Sequence, residues 1–245
     1  MVFQSLHHYW SAEFLAANAF IGVNLVGALL LGMLVGYERS YNGRAAGMRT
    51  YGLVCMASTA LTVFVGFAPL WYGGLADHGA ADASRVVGGV VTGIGFLCAG
   101  VIMKDGLSIR GLTTAASIWA VAAIGVLVGV GFYAAALLMA LLSTLSMSLL
   151  RRLEVKLPGR ATMEIALTFR EGHGAKLDEL AKAAEARGYQ FLHDSLTITF
   201  ADNQPVWRFG VVAIERSRAV SPALLAEELA SSEGVAKFSI APVRN

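Results

Sequence analysis

The chain has 245 residues, of which 56% are hydrophobic and 15% are charged, and its formal net charge is +2. Soluble domains carry about 25% charged residues, so this composition excludes an ordinary soluble protein and predicts an integral membrane protein. The small net charge, without a basic tract interleaved with aromatic residues, excludes a nucleic-acid-binding protein. The charges are uneven: residues 53–69 contain none, whereas 151–245 contain many. We therefore predict a transmembrane domain over residues 1–152 and a water-exposed domain over residues 153–245.

Apolar stretches in the first part of the chain are long enough to cross a lipid bilayer, which requires about 20 mostly apolar residues per helix. They predict an α-helical membrane bundle of about five transmembrane helices. The five stretches are residues 14–37, 51–72, 86–103, 112–129 and 132–150.

Lysine and arginine residues are concentrated in the connections after the first, third and fifth predicted spans, and cytoplasmic loops carry such an excess. This distribution predicts an N-terminus outside the cell and a cytoplasmic C-terminal domain. Aromatic residues at both edges of the spans predict two interfacial belts. The outer belt is Trp10, Trp71, Tyr72 and Tyr133, and the inner belt is Tyr37, Tyr41 and Tyr51.

Glycines at four-residue spacing occur in three of the predicted spans. Small side chains let helix backbones approach closely within a membrane, so we expect these glycines to pack helices together inside one chain, with a homodimer interface as the alternative. The pairs are Gly32 and Gly36, Gly89 and Gly93, and Gly125 and Gly129.

The last third of the chain alternates between strand-like and helix-like patterns. Residues 162–170 alternate as a strand, 175–187 form an amphipathic helix, and 221–232 begin with an N-cap serine followed by proline. With strand patterns also at 190–200, 206–215 and 235–243, the order is βαββαβ. That order predicts a ferredoxin-like α+β domain.

Motifs for catalysis or metal binding are not recognisable in the sequence. It contains no Walker loop, no HExxH motif, no paired-cysteine metal motif and no Gly-x-Ser-x-Gly. The adjacent His7 and His8 lie at a terminus expected to fray. We therefore expect a protein that is not an enzyme, with no catalytic, cofactor-binding or metal-binding residue.

Charged residues at the predicted inner membrane edge are the strongest candidates for a functional site. Ionisable groups near lipid are expensive and usually paired, so we expect a polar cluster at this edge, with simple interfacial anchoring as the alternative for the arginines. Thr113 and Thr114 begin the fourth span, where they would either cap the helix or help to receive an anion. The predicted cluster is Glu38, Arg39, Arg49, Asp105, Arg110, Thr113 and Thr114.

Polar residues within the spans offer hydrogen bonds between helices. They are Asn18, Asn24, Thr59, Thr62, Thr92 and Ser117. No carboxylate lies in the middle of a predicted span, so a proton or cation relay lacks its usual groups.

Several short motifs occur in a fixed order between residues 36 and 119. They are GYER at 36–39, AGMRT at 46–50, GIGFL at 93–97, AGVI at 99–102 and RGLTTAASIW at 110–119. In this order they resemble the MgtC/SapB family of bacterial inner-membrane proteins. The resemblance implies a cytoplasmic ACT-like C-terminal domain, which agrees with the βαββαβ order.

The resemblance further implies a role in adaptation to low magnesium and, in intracellular pathogens, in survival within macrophages. The first functional hypothesis is thus a non-enzymatic membrane regulator whose partner is another membrane machine, such as the F-type ATP synthase. The second hypothesis is a carrier of magnesium or another solute that works through Glu38, Asp105, Arg49 and Arg110. The ligand of the ACT-like domain, if it has one, would lie near the turns at residues 172–174 or 202–204.

Overall fold

The structure is a computed structural model, and it describes residues 9–74, 82–105, 108–150, 160–170, 173–174, 176–201, 204–215 and 219–243. The chain forms two units, residues 1–103 with 111–156 and residues 104–110 with 157–245, and each unit has its own apolar core. The predicted boundary at residue 152, the pair His7 and His8, and the turn residues 172, 202 and 203 lie outside the described residues.

The first unit is helical. Helix α1 begins where the Ser11 hydroxyl accepts a hydrogen bond from the Phe14 amide, which is an ordinary N-cap. The elements of this unit are α1 (Ala12–Tyr41), α2 (Met48–Val63), a 3₁₀-helix (Phe64–Gly74), α3 (Ala83–Val101), α4 (Leu112–Gly129) and α5 (Tyr133–Leu145), which continues into a π-turn (Ser146–Leu150).

Four of these segments are long and apolar enough to cross a membrane: α1, α2 together with its 3₁₀ continuation, α3 and α4. The fifth predicted span, residues 132–150, corresponds to α5 and its π continuation, which are apolar and together run from Tyr133 to Leu150. The second predicted span changes from an α-helix to a 3₁₀-helix at Phe64. Its carbonyl accepts a hydrogen bond from the Trp71 indole at 3.0 Å, and Pro69, which has no N–H to donate, lies within the 3₁₀ segment.

Helix α4 lies at the centre of the first unit. It packs against each of the other four helices, and half of its residues are buried, with Val121 and Ile124 fully so. A helix that is apolar all round and surrounded by other helices is the expected core of a bundle. Consequently, residues on α4 decide how the bundle holds together.

The connection between α3 and α4 contains two short strands, β1 (Met103–Asp105) and β2 (Ser108–Arg110), which form a two-stranded sheet. Gly111 follows β2 with φ +89°, a left-handed conformation in which a Cβ would collide with the Val101 carbonyl oxygen. Glycine is required here for both reasons. The sharp turn that it makes starts α4.

The second unit confirms the predicted βαββαβ order. Its elements are β3 (Thr162–Phe169), α6 (Leu177–Ala186), β4 (Tyr189–Ala201), β5 (Gln204–Ala213), α7 (Pro222–Ser231) and β6 (Val235–Pro242). The strands form an antiparallel sheet in the order β4-β5-β3-β6. Gly188 ends α6 with φ +80°, and Ser221 caps α7 as the sequence predicts.

One face of this sheet carries the core, because alternate residues of β3 and β5 point to the same side. Ile165 pairs with Phe209 and Met163 pairs with Val211, and all four are buried beneath the apolar sides of α6 and α7. The opposite face is polar, with an ion pair of 3.2 Å between Arg208 and Glu164. The second unit is therefore a two-layer α+β domain.

Tyr189 gives this domain a predicted response to alkaline pH. Burial raises the pKa of its phenol above the ordinary value, and its hydroxyl donates a hydrogen bond to the Val220 carbonyl. A raised folded pKa contributes stability that is complete below about pH 10 and is lost as the pH rises through the folded pKa. The ultraviolet difference titration between the wild type and Tyr189→Phe should show a tyrosinate that forms above the ordinary range. A midpoint at the ordinary value would contradict this expectation.

Candidate functional site: a buried polar network

Arg39 is the most unusual residue of the helical unit, because a guanidinium is buried there with only 6% of the residue exposed. It lies in the last turn of α1, and its Nη2 donates a hydrogen bond to the Thr114 hydroxyl on α4. Its Nε is buried and has no hydrogen-bond partner among the described residues. Burying a charged group is costly unless its donors are satisfied, so the Thr114 contact is essential to this arrangement.

The helix ends around Arg39 act on its charge in opposite directions. The carbonyl end of α1 carries partial negative charge and favours a cation, whereas the amide end of α4 carries partial positive charge and disfavours it. Helix α4 is capped by Gly111, which has no side chain to accept from its first amides. The Thr114 hydroxyl is therefore the acceptor that lets a cation sit beside this helix end.

The expectation that Thr113 or Thr114 caps α4 is corrected, and the alternative that they help to receive an anion stays a prediction. The cap residue is Gly111, and the two threonines lie inside the first turn. The Thr114 side chain accepts from Arg39, while Thr113 is exposed. A threonine that turns towards a neighbouring helix cannot also reach the amides of its own first turn, which is why capping does not occur.

Tyr51 forms the second link between helices. It is fully buried, and its hydroxyl is hydrogen-bonded to the Ser117 hydroxyl one turn along α4 from Thr114. The Arg39 guanidinium lies beside the same phenol. The sequence analysis placed Tyr51 in an interfacial belt, and that placement is wrong. A signal was present: Tyr51, Cys55, Thr59 and Thr62 recur at helical spacing and form one buried stripe of α2.

Farther along the same helices, the Thr59 hydroxyl donates to the Gly125 carbonyl at 2.8 Å. Of the six polar residues expected to bond between helices, Thr59 and Ser117 do so. The other four donate to carbonyls of their own helix, three or four residues earlier: Asn18, Asn24, Thr62 and Thr92. Such bonds satisfy the side chain within one helix and do not connect one helix to another.

Two of the predicted glycine pairs lie at close helix crossings. A Cβ on Gly32 would lie 2.8 Å from Cys55 Cβ, and one on Gly36 would lie 2.9 Å from Tyr51 Cβ. On α4, a Cβ on Gly125 would lie 2.8 Å from Ser58 Cβ, with an even closer approach to a backbone oxygen of α2. Gly129 is equally tight against α2. These glycines let α1, α2 and α4 approach closely enough to form the polar network.

The third glycine pair differs from the expectation. Gly89 and Gly93 of α3 are exposed, and no atom of the described chain would lie within 4 Å of a Cβ on either. Helix α3 buries only Val90 and Ile94 against the bundle. Its glycine-rich side is turned away from the other helices, so these residues do not pack helices within the chain.

The remaining residues of the predicted cluster have different surroundings, and only the charge of Glu38 is seen to act on the Tyr51 phenol in the described residues. The Glu38 carboxylate accepts a hydrogen bond of 2.6 Å from Asn42, which offsets the unfavourable position of an acid at a helix C-terminus. Arg49 is exposed at the start of α2. Asp105 and Arg110 lie on β1 and β2, in the second unit. Convergence of these charges with Glu38 stays a prediction.

A Tyr51→Phe variant tests the network. We expect it to lower the free energy of unfolding by about 1 kcal/mol, because one hydrogen bond is lost and the Ser117 hydroxyl keeps its bonds to backbone carbonyls, which are 2.8 and 2.9 Å long. Thermal unfolding in detergent gives the measurement. Tyr41→Phe is the matched control, since Tyr41 is 80% exposed. Equal stability of the two variants would contradict a structural role for the Tyr51 hydroxyl.

Within the described ranges, no group of three or more histidine, cysteine, aspartate or glutamate residues could hold a metal ion. The two cysteines, Cys55 and Cys98, are free thiols.

Comparison with known proteins gives a consistent family. The chain is 44% identical over 107 residues to Protein MgtC of Brucella abortus, which covers 44% of this chain and 41% of that protein. It is 44% identical over 117 residues to Protein MgtC of Salmonella typhimurium, covering 47% of this chain and 46% of that protein. The matches thus span less than half the length of these relatives. No solved structure matches.

The sequence profile described as "MgtC family" matches residues 25–156. That range is more than half of the chain and contains the whole polar network, from Arg39 through Tyr51 to Thr114 and Ser117. The sequence motifs and the four apolar helices agree with this assignment. The chain is a membrane protein and belongs to the MgtC family.

Proposed function

We propose that this chain is a non-enzymatic regulator of the bacterial inner membrane that modulates another membrane machine, such as the F-type ATP synthase. We further propose that it supports adaptation to low magnesium and survival inside macrophages. Membership of the MgtC family supports this proposal, since that is the role the family resemblance implies.

The observation that carries the proposal is the exposed side of α3. Gly89, Gly93 and Gly100, which lie on one side of α3, leave open space at their Cβ positions in the described chain. Between them stands Phe96, which is 80% exposed. In a bilayer, small residues along one helix side allow the backbone of another transmembrane helix to approach closely. This side of α3 therefore supports docking of a partner's membrane helix.

The polar network supports a regulator over a carrier. Arg39, Tyr51 and Ser117 are buried and hydrogen-bonded in helix contacts, so they fix the arrangement of α1, α2 and α4. Charged groups that serve transport face a water-filled cavity or pathway. Here the central charged group is enclosed by packed helices, as expected of a rigid docking platform.

The orientation and the second domain complete the proposal. Arg39, Arg44 and Arg49 lie at one end of the helical unit, which by the excess of basic residues would face the cytoplasm. In that arrangement the βαββαβ domain is cytoplasmic, and its element order supports an ACT-like fold.

Photo-crosslinking in native membranes tests the docking side of α3. A photoreactive phenylalanine analogue replaces Phe96 in one variant, and Leu34 in the control. Leu34 is also apolar and 62% exposed, but it lies on α1. We expect the analogue at position 96 to capture one membrane protein, with a membrane subunit of the F-type ATP synthase as the specific expectation, and the analogue at position 34 to capture none.

Two results would contradict the proposal. Capture of a second copy of this chain at position 96 would instead support the homodimer. Magnesium uptake by proteoliposomes that contain only this chain, abolished by Glu38→Gln, would establish the carrier hypothesis.

A further inference from the structure

The second unit contains a cavity of about 230 Å³. Helix α6 packs mainly on the edge strand β4, and α7 packs mainly on the opposite edge strand β6. The space between the two helices lies over the central strands β3 and β5. It is lined by Ile165, Leu167, Phe209, Val211, Leu180 and Leu229, among others.

The cavity is partly open to solvent, so it is a cleft that a ligand can enter and is not a sealed packing void. Protein interiors are close-packed, with few voids larger than a water molecule. An engineered apolar cavity of about 150 Å³ stays dry and binds benzene. By the same scale, about 230 Å³ would hold a body of roughly eight or nine carbon atoms.

The rim of the cavity carries both signs of charge. Arg187, the C-cap of α6, donates from Nε to Glu228 of α7 at 2.6 Å, and from Nη1 to the Ala183 carbonyl at 2.8 Å. Both side chains are partly exposed, so the ion pair lies on the solvent side of the cavity. Because the two charges neutralise each other, the rim gives no net attraction to an anion or a cation. Arg187 retains unused N–H donors that can bind a neutral acceptor.

From this geometry we infer that the second unit binds a small neutral amphiphile. Its aliphatic or aromatic body fills the cavity, and its uncharged oxygen accepts a hydrogen bond from Arg187. The Tyr189 phenol lines the cavity, but its hydroxyl is engaged with Val220. The polar contact is therefore made at the rim. Binding would also join α6 and α7, which the ion pair connects at this point.

The test uses the full chain in liposomes and a photoreactive diazirine analogue of octan-1-ol. Peptides from α6 and α7 are analysed by mass spectrometry after irradiation. We expect labelling of both helices, loss of that labelling with excess octan-1-ol, and weaker competition by octanoate or octylamine.

Ala184→Leu and Leu229→Phe place extra atoms in the cavity and should each abolish the labelling. Ala186→Leu is the matched control, because Ala186 is exposed on the same helix and does not line the cavity.

Three results would overturn the inference. Labelling confined to the membrane helices would show that α6 and α7 close over the space in solution. Labelling of α6 and α7 that is equal in the wild type, Ala184→Leu and Leu229→Phe would show that the probe binds the outer helix surface. Stronger competition by octanoate than by octan-1-ol would show that the cavity prefers a charged headgroup to a neutral one.

Discussion

Replacing Gly125 by alanine is expected to lower the free energy of unfolding of the helical unit by about 3 kcal/mol, since overpacking of a dense interior typically costs that much. The added Cβ would collide with the backbone carbonyl of Cys55 and lie 2.8 Å from Ser58 Cβ. Backbone cannot move aside as a flexible side chain can. Helix α2 would have to shift away from α4, and the hydrogen bond from Thr59 to the Gly125 carbonyl would be broken.

Gly93→Ala is the matched control for this change. It makes the same substitution in another apolar helix, but at a position where the new Cβ meets nothing in the described chain. There the alanine should be neutral or slightly stabilising, because glycine weakens a helix by about 0.5–1 kcal/mol relative to alanine. Thermal unfolding in detergent, followed by size-exclusion chromatography of the remaining folded protein, compares the two variants. Similar losses in both would show that the α2–α4 crossing is looser than described.

Thr114→Val should produce the second large effect, a loss of about 2–3 kcal/mol, because a hydrogen bond to a buried charged group is removed and its donor is left unsatisfied. Valine has nearly the same shape as threonine, so packing is retained. The Arg39 guanidinium would then have neither its Nη2 bond nor a described partner for its Nε. Thr113→Val is an adjacent control with the same chemical change, at a position whose side chain is exposed.

A double variant separates lost polarity from lost packing. Removing both members of a buried polar pair can be nearly neutral, whereas removing one leaves the other unpaired. Arg39→Met with Thr114→Val should therefore be more stable than Thr114→Val alone. If the loss of stability in the double variant equals the sum of the losses in Arg39→Met alone and Thr114→Val alone, Arg39 and Thr114 do not interact energetically. The network then has no structural role.

Hydropathy predicted the membrane helices well because the length of an apolar run is a direct physical requirement of the bilayer. The predicted fourth span and helix α4 have the same bounds, 112–129. The change to a 3₁₀-helix at Phe64 was not predictable in this way. An apolar run looks the same whether its backbone bonds join residues three or four apart, and only tertiary contacts decide between them.

The polar network was predicted in part, because in a membrane protein the sequence marks polar groups clearly but does not distinguish buried apolar sides of a helix from lipid-facing ones. Arg39 and Thr114 were identified because polar groups stand out in an apolar segment. Glycine spacing could not distinguish Gly125, which lies at a helix crossing, from Gly93, which is exposed. In water an exposed side of a helix is polar, but in a bilayer both sides are apolar. Tyr51 was misplaced for the same reason, since a tyrosine near a helix end also fits an interfacial belt.

The lengths of the helices have a consequence for the surrounding lipid. At 1.5 Å per residue, α3 with 19 residues and α4 with 18 residues are about 28 and 27 Å long, slightly less than the roughly 30 Å of a typical hydrocarbon core. Helix α1, with 30 residues, can tilt to fit a thin layer, but α3 and α4 cannot lengthen to fit a thick one. Local thinning of the bilayer around α3 and α4 accommodates this difference, as do flanking side chains that reach to the interface. Membranes with shorter acyl chains would therefore accommodate the protein at a lower elastic cost.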